Sequence, residues 1–282
     1  MIVFSRTNNR QFEGIAAAFA STFIGGCTLW EPENEPLWDM VAERKPTHVF
    51  IDKGYLHVDM NEAFGDSKVI IFNTMNPGVK ADLRLIDSEF NLKLVPDGVK
   101  YYQLQDAANY AKYRGGVFHE EYEADIFYFH TQRMANEASR IIDDLYRLAD
   151  AGYTVRVVGY PIAAPFYMGY ADLYQVMSMA QSSKIALDYG DSMIREYGAS
   201  NIFCLGDTKT YARMRRDDDI SKNIVERVAS YVENKSGMSK VAQEIQDQAI
   251  ESTCYQQAAD IGKLLEPNWK EAIETRFKRV RR

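Results

Sequence analysis

The stretch Asp125 to Tyr160, ADIFYFHTQRMANEASRIIDDLYRLADAGYTVRVVGY, leaves few choices of fold. Ile126 to Phe129 is a short apolar run of β-formers, as a buried strand requires. His130-Thr131-Gln132-Arg133 interrupts it with polar side chains. Met134, Ala138, Ile141, Ile142, Leu145 and Leu148 then recur at helical spacing and make one apolar face. Gly152 stands where a left-handed helix stop is expected, and Val155, Val157 and Val158 restart a strand that ends at Gly159-Tyr160-Pro161. A strand-helix-strand unit of this length closes as a right-handed parallel crossover. Ligands of open α/β sheets bind at the carboxyl ends of the strands. The loops at His130–Arg133 and Gly159–Tyr160 should therefore lie side by side.

The same alternation runs through the earlier chain. Strands are expected at Ile2–Phe4, His48–Ile51 and Lys68–Phe72, with a further one between Thr22 and Leu29 and another near Leu92–Val95. Asn8 or Asn9 can cap a helix carrying Phe12, Ile15, Ala16 and Phe19 on one side. Trp38–Glu43, Met60–Phe64 and Tyr101–Tyr113 read as helical. The paired glycines and acidic run of Lys112–Ala124 mark a linker. Beyond the opening unit, the pattern predicts a helix at Asp172–Gln181 with Asp172 as N-cap, strands at Lys184–Leu187 and Ile202–Leu205, and a helix from Ile220 to Tyr231. Residues 240 to 265 read as polar helix, and Pro267-Asn268 opens a last helix from Trp269 to Arg282. The expected architecture is α/β: two Rossmann-like domains, 1–120 and 125–265, facing across a cleft, with a C-terminal helix, 266–282, crossing back to the first.

At 282 residues the chain can bury two ordinary cores. The net charge of −7 argues against a general polyanion binder. That charge sits mostly in residues 1 to 124, where 12 Lys and Arg face 18 Asp and Glu, a balance of −6. The basic stretch Arg276 to Arg282 is the exception; it reads as a solvated helix end or as a phosphate-contacting tail. No apolar run nears the length of a membrane span and no secretory signal opens the chain, so a cytoplasmic protein is expected. Cys27, Cys204 and Cys254 have no metal spacing and read as reduced, buried thiols.

Several chemistries lack their motifs. There is no G-x-G-x-x-G after the first strand, no P-loop, no G-x-S-x-G and no H-E-x-x-H, and the four histidines are scattered. No metal site is expected. Asp217-Asp218-Asp219 could hold Mn²⁺ on a sugar diphosphate, but these residues open an amphipathic helix, where acids offset the unpaired N–H groups.

The segments Asp125–Arg133, Tyr153–Tyr160, Lys184–Tyr189 and Met193–Glu196 resemble the donor-binding half of GT-B glycosyltransferases, nearest in outline to bacteriophage DNA glucosyltransferases and spore-maturation glycosyltransferase-like proteins. The resemblance implies a nucleotide-diphosphate sugar as co-substrate, a UDP-sugar foremost. It assigns donor binding to His130, Thr131, Gln132, Arg133, Gly159, Tyr160, Arg195 and Glu196, with the arginines on phosphate, a carboxylate on ribose and Tyr160 on the base. Arg195 and Glu196 are adjacent, whereas the family separates that pair by about three residues. An inverting transferase needs a carboxylate base beside the acceptor hydroxyl. Asp52, at the carboxyl end of the third strand, and Glu13, in the first helix, are the candidates. The phage enzymes place their acid after the fourth strand, where this chain has Asn73-Thr74-Met75-Asn76. From the same resemblance and the basic tail, DNA carrying hydroxymethylated bases is an implied acceptor, which would place a phage-encoded protein in the host cytoplasm. A non-catalytic two-lobed nucleotide or sugar binder, and a metal-dependent transferase using Asp217 and Asp219, remain alternatives.

Overall fold

The computed structural model describes residues 1–7, 9–52, 58–72, 78–79, 81–86, 95, 98–105, 107–109, 116–131, 138–189, 193–206 and 223–281. The chain divides into two units, Met1–Ala111 with Ser252–Arg282, and Lys112–Glu251.

In the first unit β1 (Ile2–Ser5) leads through α1 (Arg10–Thr22) to β2 (Cys27–Trp30), and α2 (Leu37–Arg44) leads to β3 (His48–Asp52). A 3₁₀ turn, Val58–Phe64, precedes β4 (Lys68–Phe72), and β5 (Leu83–Ile86) and β6 (Tyr101–Gln103) follow. All six strands are parallel, in the order β2-β1-β3-β4-β5-β6. In the second unit β7 (Ala124–His130), α3 (Ala138–Asp150), β8 (Val155–Gly159), α4 (Leu173–Ser182), β9 (Ser183–Asp188), α5 (Ile194–Ala199) and β10 (Cys204–Gly206) build a parallel sheet ordered β10-β9-β7-β8. Helices α6 (Ile224–Val232) and α7 (Lys235–Glu251) complete it. The chain then returns to the first unit as α8 (Cys254–Leu265) and α9 (Trp269–Arg281).

The first sheet is covered on both faces, and its sequence shows why. Phe4, Phe50, Ile70 and Phe72 point to one side, under Phe12, Ile15 and Phe19 of α1 and Tyr255, Ile261 and Ile273 of α8 and α9. Their neighbours Val3, Val49, Ile51, Val69 and Ile71 point to the other, under Leu37 and Met40 of α2. Strands apolar at successive positions suit only such a doubly covered parallel sheet. In the second unit, Ile141, Leu145 and Leu148 of α3 and Ile224 and Val228 of α6 cover Ile126, Tyr128, Val157, Ile185 and Leu187. The predicted N-caps form: Asn9 accepts from the amides of Gln11 and Phe12, and Asp172 makes a capping box with Gln175. Gly152 takes φ +93° at its helix stop.

Four expectations change, and one strand appears that none of them covers. The strand sought between Thr22 and Leu29 starts only at Cys27, because α1 runs on to Thr22 and a turn with Gly25 at φ +78° follows. Tyr101–Tyr113 does not start as a helix; Tyr101–Gln103 pairs with Arg84–Ile86 as an edge strand, which suits its aromatic residues. β5 went unread because Arg84 interrupts its apolar run, yet Arg84 is buried and donates to the Val79 carbonyl at 3.3 Å. Residues 240 to 265 are two helices, broken where Thr253 caps α8 and accepts from the Gln256 amide. The second of these is largely buried and clusters with the first unit, so the boundary expected at residue 265 falls at 251. Leu92–Leu94 and Asp217–Asp219 lie outside the described residues.

Candidate functional site

Each sheet has one point where the strand order reverses. There, crossovers leave toward opposite faces and the carboxyl ends open a crevice. In the second unit it lies between β7 and β9, since β7 pairs with both β8 and β9.

His130 ends β7 beside that point. Only 1% of it is exposed. Its Nδ1 lies 3.3 Å from the Tyr128 hydroxyl, and its buried Nε2 has no hydrogen-bond partner among the described residues. Burial lowers its pKa, so the imidazole is neutral at neutral pH. In the tautomer whose Nδ1 accepts from the Tyr128 hydroxyl, Nε2 carries the proton and is a donor in reserve. Thr131 follows, half-buried; Gln132 and Arg133 lie outside the described residues.

Gly159 and Tyr160 close the next strand. Gly159 has φ +107°, and a Cβ there would overlap the His130 carbonyl oxygen and sit 2.9 Å from the Phe129 ring. Glycine is therefore demanded by the close approach of β7 and β8. Its N–H donates to Gly169 O at 2.9 Å, its carbonyl accepts from the Tyr167 hydroxyl at 2.8 Å, and the Tyr160 N–H donates to His130 O at 2.7 Å. These backbone groups are committed within the protein. What this loop presents outward is the Tyr160 ring, 37% exposed and 6.1 Å from the His130 ring.

Arg195 and Glu196 open α5. Adjacent residues on a helix diverge by about 100°. Glu196 is buried, at 1% exposure, and Arg195 is half-buried. Glu196 is thus no surface charge, and the two side chains leave the helix in different directions.

Sequence reasoning passed over other groups at this edge. Asp188 ends β9 and is buried. Burial first and Asp188 second push the Cys204 thiol well above its usual range. The next residue, Tyr189, donates to Oδ2 of buried Asp144 at 3.0 Å, and its ring meets Tyr128 edge-on at 5.5 Å. The Arg140 guanidinium lies 5.7 Å from the centre of the Tyr189 ring, placing a cation by the end of β9. An acid directly after a predicted strand was the available signal for Asp188; nothing in the spacing marks Arg140.

In the first unit the reversal lies between β1 and β3, which pair with each other while β2 and β4 extend outward. Asp52 ends β3 at this point. Its amide donates to Ser5 Oγ at 2.9 Å, and its Oδ2 accepts a short hydrogen bond from the Thr7 hydroxyl. Thr7 Oγ1 in turn accepts from the Asn9 amide at 2.9 Å. Asp52 is half-buried, and its Oδ1 has no hydrogen-bond partner among the described residues. One carboxylate oxygen is anchored and the other is available, an arrangement suited to taking a proton. Glu13 sits in the first turn of α1, where an acid offsets the helix dipole. The counterpart of the phage enzymes' acid, Asn73–Asn76, lies outside the described residues.

Cys27, Cys204 and Cys254 are free thiols, and burial raises the Cys27 pKa to about 11. No group of three His, Cys, Asp or Glu among the described residues could hold a metal ion. No described helix is long and apolar enough to cross a membrane.

No protein-family model and no curated protein matches the chain. Solved structures do. A Listeria monocytogenes protein proposed to be a UDP-N-acetylglucosamine 2-epimerase is similar over 94% of this chain and 97% of its own, with a TM-score of 0.59 at 11% identity. The glycotransferase of kitacinnamycin has a TM-score of 0.56 at 8% identity, over 94% and 99% of the two chains. T4 phage BGT, solved with UDP and Mn²⁺, has a TM-score of 0.53 at 10% identity, over 94% and 99%. Two Rossmann-like parallel-sheet units in one chain, matched along nearly the full length of such structures, give this protein the GT-B fold.

Proposed function

We propose that this protein transfers a glycosyl group from a UDP-sugar to an acceptor hydroxyl. The observation that carries the reading is the fold likeness over 94% of the chain to T4 phage BGT, which binds UDP. The carboxyl edges supply fitting groups. His130 Nε2–H donates to a diphosphate oxygen, joined by Arg133 and Arg195 as cations and by Arg140 near the end of β9. Thr131 and Gln132 add donor contacts, Tyr160 offers a ring to the base, and Glu196 supports the helix that carries Arg195. Asp52 takes the acceptor proton through Oδ1 while Thr7 fixes its other oxygen. As the acceptor oxygen bonds to the anomeric carbon, the bond to the diphosphate breaks and UDP leaves with its electron pair. Glu13 is the second candidate base.

DNA with hydroxymethylated bases is the acceptor suggested by the phage resemblance, with Arg276, Lys278 and Arg279 of α9 as phosphate contacts. The net charge of −7 weighs against it. Deleting 276–282 should lower the salt slope of DNA binding if the acceptor is DNA; an unchanged slope removes that acceptor.

The test of the class is thermal stabilisation by UDP, GDP and ADP sugars, followed by turnover. Stabilisation by UDP with release of UDP in the presence of an acceptor supports transfer, and no stabilisation by any nucleotide refutes it. Binding without turnover would leave the non-catalytic binder. The higher TM-score to the presumed epimerase favours a second reading, in which the same donor site rearranges the sugar. UDP-N-acetylglucosamine incubated without acceptor would then yield a new epimer.

A further inference from the structure

A cavity lies at the amino edge of the first sheet, opposite Asp52. It is an open-mouthed hollow of about 530 Å³ between the end of α2, the first residues of β3 and β4, and the α8–α9 connection. Val41, Pro46 and Phe64 line an apolar side, and His48, Lys68 and Glu266 a polar one. This size, with an apolar wall and a few convergent polar groups, is that of a small-molecule site. A smaller cavity of about 230 Å³ lies in the second unit, lined by Gln181, Lys184, Asn201 and Phe203.

The polar side already holds a carboxylate. Glu266 Oε1 accepts from Lys68 Nζ at 2.8 Å and lies 3.4 Å from His48 Nε2. His48 is 3% exposed, and that nitrogen is buried beside the Glu266 carboxylate. Lys68 also donates to the Leu265 carbonyl at 3.1 Å. Lys45, at the left-handed end of α2, is exposed at the rim and has no ion-pair partner among the described residues. Glu266 is itself the C-cap of α8, and among the described residues its side chain pairs with Lys68 and His48. A single, partly exposed ion pair is weak enough for a free anion to replace.

We infer that this pocket binds a small organic carboxylate, which displaces Glu266 from Lys68, reaches His48 Nε2 and lays its apolar body against Phe64, Pro46 and Val41. Glu266 marks the chemistry the pocket recognises, and its release loosens the α8–α9 junction. The site is independent of the UDP-sugar reading, because it lies at the other edge of the first sheet.

Succinate is the probe, with succinamide as the uncharged control, followed by titration calorimetry and by the His48 ring protons in NMR. Wild-type protein should bind succinate saturably with a shift of the His48 resonances. Glu266→Gln, which removes the competitor, should bind about tenfold tighter, and Lys68→Met should lose binding. Failure of succinate to bind Glu266→Gln, equal affinity in Lys68→Met, or equal binding of succinamide would each overturn the proposal. Both positions are partly exposed, so melting temperatures near wild type should confirm the fold; if Lys68→Met unfolds, the Glu266→Gln arm alone decides.

Discussion

Gly159→Ala should damage the second unit far more than Gly152→Ala, although both glycines have positive φ, +107° and +93°. At Gly152 an added Cβ meets nothing within 4 Å, so the cost is backbone strain alone, about 1–2 kcal/mol. At Gly159 the same strain is joined by overlap with the His130 carbonyl, which is backbone and cannot swing aside. Relief requires β7 and β8 to separate where three hydrogen bonds meet: Tyr160 N–H to His130 O, Gly159 N–H to Gly169 O and Tyr167 hydroxyl to Gly159 O. Weakening these at about 1 kcal/mol each brings the expected loss to roughly 4–5 kcal/mol. Urea unfolding followed by circular dichroism should rank the variants in this order. Hydrogen exchange supplies the local test, because the Tyr160 amide should lose protection in Gly159→Ala and keep it in Gly152→Ala. Equal destabilisation of the two variants, or a protected Tyr160 amide in Gly159→Ala, would refute the close-approach argument.

Asp52→Asn should lower the transfer rate by about 10²–10⁴-fold while changing the melting temperature little, and Glu13→Gln should leave the rate near wild type; the reverse ranking in a UDP-release assay would move the base to Glu13. The folded pKa values of His48 and His130 are lowered, His48 by burial first and Lys68 second, His130 by burial. The unfolded chain therefore binds protons first, and stability should fall as pH drops from about 6.5 through the folded values; His48→Gln and His130→Gln should each flatten that slope in urea titrations. Burial alone would raise Asp125, but hydrogen bonds from Lys184 and the Thr154 amide outweigh it and hold the carboxyl below its usual value. Its contribution is present above the ordinary carboxylate range and lost as pH falls through the folded value, so Lys184→Met should narrow its gap from wild type in acid. Trp269→Ala should cost roughly 2–4 kcal/mol in thermal unfolding, since the ring packs 5.6 Å from Phe19, 5.3 Å from Phe23 and 4.5 Å from His48.

Local signals carried the sequence reading where one residue type has one physical use. Asn9, Asp172 and Gly152 each do the single thing their chemistry favours, so helix limits followed from them. β4 was bounded correctly because Lys68 and Phe72 enclose an unbroken apolar run. Reading failed where tertiary context decides. Arg84 looks like a strand breaker until its burial and carbonyl partner are seen, and α8 looks polar because its glutamines and lysine hide the stripe of Tyr255, Ala258, Ile261 and Leu265.

The candidate site divides the same way. Its position follows from topology: parallel strands must reverse order somewhere, and His130 and Asp52 end the strands that flank the reversals. Its detailed chemistry depends on partners far apart in sequence, which no local pattern encodes. Thr7 anchors Asp52 from 45 residues away, and Tyr189 reaches Asp144 across the same separation. The Gly159 case shows how far this reaches: an expected ligand-binding glycine has its N–H and carbonyl spent on residues 169 and 167, so its requirement for glycine comes from packing. A glycine at a strand end therefore identifies a loop at the right edge of the sheet, while the side chains that can act there, the His130 imidazole and the Tyr160 ring, are set by what that glycine allows to approach.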